Sequence, residues 1–131
     1  MTGYSGKPLA DKLGVREGSR LWQSHAPAGY EALIGPLPLG ATWTADPAEA
    51  DILHVFRENR AQLSDQAAAL TAVARQGAAL WISWPKKSSA LFADLTEGGV
   101  REIVLPTGWV DVKVCAVDET WSGLKFLRRR K

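Results

Sequence analysis

The chain has 131 residues, 46% hydrophobic and 23% charged, the composition of an ordinary globular protein able to bury a core without disulfides. No apolar run approaches the roughly 18 residues of a membrane span; the start Met1-Thr2-Gly3-Tyr4-Ser5-Gly6-Lys7 lacks the apolar stretch of a secretory signal; and the lone Cys115 excludes an internal disulfide, so a cytoplasmic protein is expected. Sixteen basic residues face fourteen acidic ones, but Arg128, Arg129, Arg130 and Lys131 end the chain, and the other twelve against fourteen leave −2, which argues against general polyanion binding.

No repeat or linker divides the sequence. One domain over 1–131 is expected, with 1–19 as helix and lead-in and 128–131 as a basic tail. A short helix opens the readable part: Ser5 offers an N-cap, Pro8 sits in the first turn, Leu9 and Leu13 share a face, and Gly14 suits the left-handed stop. A strand follows at about 20–24, then a break at Ala26-Pro27-Ala28-Gly29. A helix over 30–34 ends at Gly35, and residues 41–44 can form a second short strand. The apolar run Asp51-Ile52-Leu53-His54-Val55-Phe56 has the character of a strand buried on both faces.

The clearest helix comes next. Asn59 and Gln62 resemble a capping box, Leu63, Ala67 and Leu70 repeat at helical spacing, and Gly77 supplies the stop, with a break at Ser64-Asp65 left open. Residues 78–84 read as another buried strand, ended by Pro85. Asp94 with Glu97 opens a helix that ends at Pro106-Thr107-Gly108. The chain closes with Val110 to Val114, a long turn near Asp118 to Gly123, and Leu124 to Leu127, the pattern of an antiparallel hairpin. Strands alternating with helices predict a small, doubly wound, mostly parallel α/β sheet with an antiparallel C-terminal edge.

In that order and spacing, Leu13 to Leu21, Asp51 to Phe56, Gly77 to Trp84 and the terminal hairpin resemble the Rossmann-like framework of class I S-adenosylmethionine (SAM) methyltransferases. The resemblance implies that fold and a SAM site after the first strand. That place holds Gln23-Ser24-His25-Ala26-Pro27-Ala28-Gly29, not a Gly-rich loop, so no cofactor is expected. Asp46 alone stands where the family carries its ribose-binding acid, and no Asp/Asn-Pro-Pro-aromatic motif follows Phe56. Gly3 to Leu9, Leu80 to Lys87 and Val112 to Glu119 also resemble a family of short bacterial proteins known as a domain of unknown function, which implies no activity.

Candidate sites follow from the carboxyl ends of parallel strands, where open α/β sheets bind ligands. Trp84, Lys86, Lys87 and Ser88 leave one such end, with two ammonium groups, a hydroxyl and a flat ring for a small anionic ligand. His25 leaves another and can act as a ligand contact or base. The isomer of the Trp84-Pro85 bond is left open.

His54 reads as a satisfied core residue and Cys115 as a small core residue. No serine stands beside a plausible base, and no metal-ligand spacing occurs. Gly6-Lys7 lacks the spacing of a phosphate loop. Trp81 and Trp84, three apart, point to opposite faces, one in the core and one exposed, and exposed Trp109 or Trp121 would mark a protein interface. The sequence therefore suggests a binding or regulatory module without catalytic residues. Its alternatives are a minimal SAM-dependent methyltransferase and a nucleic-acid accessory protein using Arg128 to Lys131.

Overall fold

A computed structural model describes residues 8–129. Its elements run α1 (Leu9–Leu13), β1 (Arg20–Ser24), α2 (Tyr30–Ile34), β2 (Thr42–Trp43), β3 (Ile52–Phe56), α3 (Arg60–Val73), β4 (Ala79–Pro85), α4 (Glu97–Val104), β5 (Trp109–Ala116) and β6 (Trp121–Arg128). They form a six-stranded sheet ordered β2-β1-β3-β4-β6-β5. The first four of these strands are parallel, while β6 runs antiparallel to both β4 and β5. This is the mixed α/β fold with an antiparallel C-terminal hairpin that the sequence predicts. Ser5 and the Gly6-Lys7 pair lie outside the described residues.

Every residue of β3 and β4 is buried. Side chains alternate across a strand, so each face needs its own cover. Leu53, Val55, Leu80, Ile82 and Trp84 pack under α3 and α4. Ile52, Phe56, Ala79 and Trp81 pack with α1 and α2 on the other face. Trp81 and Trp84 do point to opposite faces, but both are buried, because both faces are covered. Trp109 and Trp121 are buried as well, one in each core layer, and so mark no interface.

Local signals set most boundaries. Gly14 adopts the left-handed conformation and its N–H closes α1, while Trp81 Nε1 donates to Leu13 O at 3.2 Å and ties that helix to the sheet. Asn59 Oδ1 accepts from Gln62 N, but Gln62 Oε1 reaches back to Glu58 N instead of Asn59 N. The helix runs unbroken through Ser64-Asp65 and stops at Ala74, three residues before Gly77. Its apolar face, Leu63, Ala67 and Leu70, is continuous over that stretch and holds it on the sheet.

Asp94 does not cap α4. Its carboxylate accepts from Arg60 N at the start of α3, and Thr96 is the cap of α4. The hairpin turn is short, residues 117–120, because Gly123 lies within β6 and not in the turn. Gly123 pairs with Ser83, and a Cβ there would stand 3.0 Å from Ser83 Oγ. A strand glycine at a close approach looks like a turn signal in sequence.

Room at Gly123 serves a buried polar chain. Tyr30 Oη lies 2.7 Å from His54 Nδ1, and His54 Nε2 lies 2.7 Å from Ser83 Oγ. His54 is the satisfied core residue expected of it, but a serine does stand beside it, joined through the register of β3 and β4. Both are fully enclosed, so the pair holds strands together and offers no nucleophile to solvent. Burial pushes the His54 pKa down to about 3. The unfolded chain takes up that proton near pH 6.5, so stability falls as pH drops through the interval between the two values. Between about pH 6 and about pH 4.5, the urea-unfolding free energy of the wild type should fall by about 1.4 kcal/mol per pH unit more steeply than that of His54→Gln. Parallel slopes would remove His54 from the account.

Candidate functional site

The strand order reverses beside β1. Its chain neighbour β2 lies on one side and β3 on the other, so the crevice outside the carboxyl ends of β1 and β3 is the topological switch point. Two side chains meet there. His25, directly after β1, is held at φ 60°, a left-handed conformation rare outside glycine. Its Nδ1 lies 3.1 Å from Ser24 Oγ and 3.1 Å from Arg57 Nη1. Arg57 follows β3 directly and is only 5% exposed.

The Arg57 guanidinium is fixed by the chain around it. Nε donates to Gln66 Oε1 at 2.7 Å on α3, and Nη1 donates to Phe56 O at 2.7 Å. Among the described residues it forms no ion pair. Burial without a carboxylate pulls its pKa down. With His25, Phe56, Glu58, Gln62, Gln66 and Trp121 it lines a cleft of about 150 Å³.

A larger, open cleft of about 850 Å³ lies on the β2 side of the same edge. Its walls are the 26–29 backbone, Tyr30, Trp22 and Trp43, and its polar lining is Gln23, Glu31 and Thr44. Trp43 meets Tyr30 edge to face at 6.1 Å and is 41% exposed. Volume and aromatic wall suit a nucleoside. Asp46 does not face this space. Its carboxylate accepts from Ala48 N and caps the turn Pro47–Glu49. The cleft is large enough for a nucleoside-sized ligand, while Asp46, the acid the resemblance would assign to ribose hydroxyls, is engaged elsewhere.

The loop after β4 shares the edge but not the crevice. Lys86 N donates to Thr120 O, which seats the loop against the hairpin turn, and the Lys87 and Ser88 side chains are exposed. With β3 between β1 and β4, and Lys86 three residues past the level of His25, this loop starts more than roughly 10 Å from His25. The Trp84 ring is buried under α3 and α4 and offers no face to a ligand. The described residues contain no cis peptide, so Trp84-Pro85 is trans. Cys115 is half-buried, and burial raises its thiol pKa. Asp118 Oδ1 accepts from Thr120 N and Trp121 N and so shapes the hairpin turn. No group of metal-binding side chains and no helix long and apolar enough to cross a membrane occurs among the described residues.

The basic tail begins later than the sequence suggests. Arg128 is the last residue of β6. Its Nη2 donates to Thr71 O at 3.0 Å and to Ala74 O, satisfying carbonyls at the end of α3, and its guanidinium lies 5.3 Å from the Trp109 ring centroid. Arg129 is exposed, and Arg130 and Lys131 lie outside the described residues.

Arg57 is the site residue that sequence reasoning missed. Its signal was available: a charged residue directly after a fully apolar strand, at the end where ligands bind.

The architecture is that of Rossmann-like SAM methyltransferases. No family model matches the chain, and no curated protein matches it. Solved structures do. A SAM-dependent methyltransferase from Aquifex aeolicus aligns with a TM-score of 0.60 at 12% identity, over 90% of this chain and 86% of that one. Magnesium protoporphyrin IX methyltransferase from Synechocystis with bound SAM aligns at 0.54 and 13% identity, over 92% and 74%. A protein from Bordetella parapertussis described as a possible exported protein aligns at 0.61 and 11% identity, over 93% of this chain and 66% of its own length. At such identities the likeness is one of fold.

Arg128→Ala should lower the unfolding free energy by about 1–2 kcal/mol in urea titrations, and Arg129→Ala by no more than about 0.5 kcal/mol. Equal, small losses would return Arg128 to a solvated tail.

Proposed function

We propose that this chain is a small-ligand-binding domain whose site is the carboxyl edge of the sheet, between the 24–29 loop, the end of β2 and Arg57. The observation that carries the reading is the open cleft of about 850 Å³ beside the switch point, walled by Trp43, Tyr30 and the 26–29 backbone. SAM is the first ligand to test, because solved structures that share the fold include SAM-dependent methyltransferases and one of them holds SAM. Lys86, Lys87 and Ser88 would serve as outer contacts for an anionic part of the ligand. The role is binding or regulatory, since the polar side chains facing the cleft are few and Tyr30 Oη is engaged by His54.

A second reading, a minimal SAM-dependent methyltransferase, is supported as strongly by the fold likeness, which extends over 90% of the chain. Fold does not fix chemistry. The likeness to short bacterial proteins of unknown function is compatible with either reading. A nucleic-acid role is weakened by the engagement of Arg128 in the fold.

Isothermal titration of the protein with SAM and with its demethylated product tests both readings. Saturable binding without methyl transfer to added acceptors supports the module, and transfer supports the enzyme. Trp43→Ala should weaken that binding about tenfold or more, with little change in melting temperature because the ring is partly exposed. Absence of heat and of any thermal shift with both compounds counts against SAM in either role.

A further inference from the structure

We infer that Arg57 and His25 form an oxyanion subsite that takes a carboxylate or phosphate group of the ligand. The inference rests on the reading of the carboxyl edge as the binding face and names the charged group recognised there.

A buried cation is costly unless something compensates it. Arg57 has neutral partners only: the Gln66 amide, the Phe56 carbonyl and the His25 ring. These spend Nε and Nη1. Nη2 has no protein acceptor among the described residues, yet no fully enclosed side-chain nitrogen or oxygen there lacks a partner. Nη2 therefore keeps access to solvent, and Arg57 lines the cleft. A guanidinium is a planar fork matched to oxyanions, and this one is already held in place, so little side-chain freedom remains to be lost on binding.

His25 supplies the second donor. An arginine can only donate, so the Nδ1 it meets is the acceptor, and the ring hydrogen stands on Nε2. The ring is held in a left-handed backbone conformation, a strain of the kind that persists at binding sites. Phe56 and Trp121 give the cleft apolar walls, which strengthens any charge interaction inside it. Its volume of about 150 Å³ is small beside the neighbouring cleft of about 850 Å³ and leaves room for an oxyanion group.

Glu58 also lines the cleft, but its side chain is exposed and makes no ion pair with Arg57. At the start of α3, Arg60 N donates to Asp94 and Gln62 N to Asn59, so two of its first N–H groups are already engaged.

The test is an NMR titration of the protein with inorganic phosphate and with acetate, against chloride at equal ionic strength. It follows the Arg57 Nε–H and the His25 ring. Saturable shifts with either oxyanion and none with chloride are expected. A stronger response to phosphate assigns a phosphate ester, and a stronger response to acetate a carboxylate.

Arg57→Met and His25→Gly should each weaken the stronger oxyanion about tenfold. His25→Gly should melt no lower than the wild type, since glycine accepts the left-handed conformation without strain. Glu58→Gln should tighten binding. Equal shifts with chloride, no shift at all, or unchanged affinity in the folded His25→Gly protein would each overturn the subsite. Failure of SAM to bind leaves it standing, because phosphate and acetate probe it without a nucleoside.

Discussion

Two strands with no solvent-facing residue, β3 and β4, impose the arrangement of the rest. Each must be covered on both faces, so α3 and α4 lie on one side and α1 and α2 on the other. The hairpin completes the sheet beside β4, with Leu124 and Phe126 in one layer and Trp121 in the other. The same burial forces the polar groups within those strands to find partners, and His54 does so through Tyr30 and Ser83. Gly123 leaves the space for that chain. One constraint thus links the helix positions, the hairpin register and a buried hydrogen-bonded triad.

Covering both faces leaves the strand ends as the place where chemistry can gather. At the carboxyl edge, β1, β2 and β3 deliver His25, the Trp43 wall and Arg57 to adjoining clefts. The buried guanidinium with neutral partners stands out there, because the chain has other arginines that it pairs with acids, such as Arg20 with Glu49 and Arg101 with Asp111. Those pairs lie at exposed or partly exposed positions, and the structural Arg128 is held by the carbonyls of Thr71 and Ala74. Arg57 at the switch point is the buried one, and no carboxylate pairs with it among the described residues.

Elements were legible wherever a local signal set them. The strand at 52–56 follows from its apolar run, and the strand at 20–24 and the helix at 30–34 from the glycine and proline breaks around them. Errors fell where a residue acts across the fold. Asp94 has the look of a cap for the helix after it and instead caps one 34 residues earlier in sequence. Gly123 imitates a turn, and Arg128 imitates a tail. Candidate site residues were legible by edge and not by crevice: His25 and Lys86 were both placed at carboxyl ends, but one strand separates those ends.

By itself, then, the sequence determined what depends on near neighbours and periodicity: the order of elements, which strands are buried on both faces, and the α/β class with its antiparallel end. The tertiary structure decided which side chains meet. His54 and Ser83 are 29 residues apart and His25 and Arg57 are 32 apart, and only strand order and register bring each pair into contact. Contacts of that range depend on the packing of the whole sheet, which no local pattern encodes.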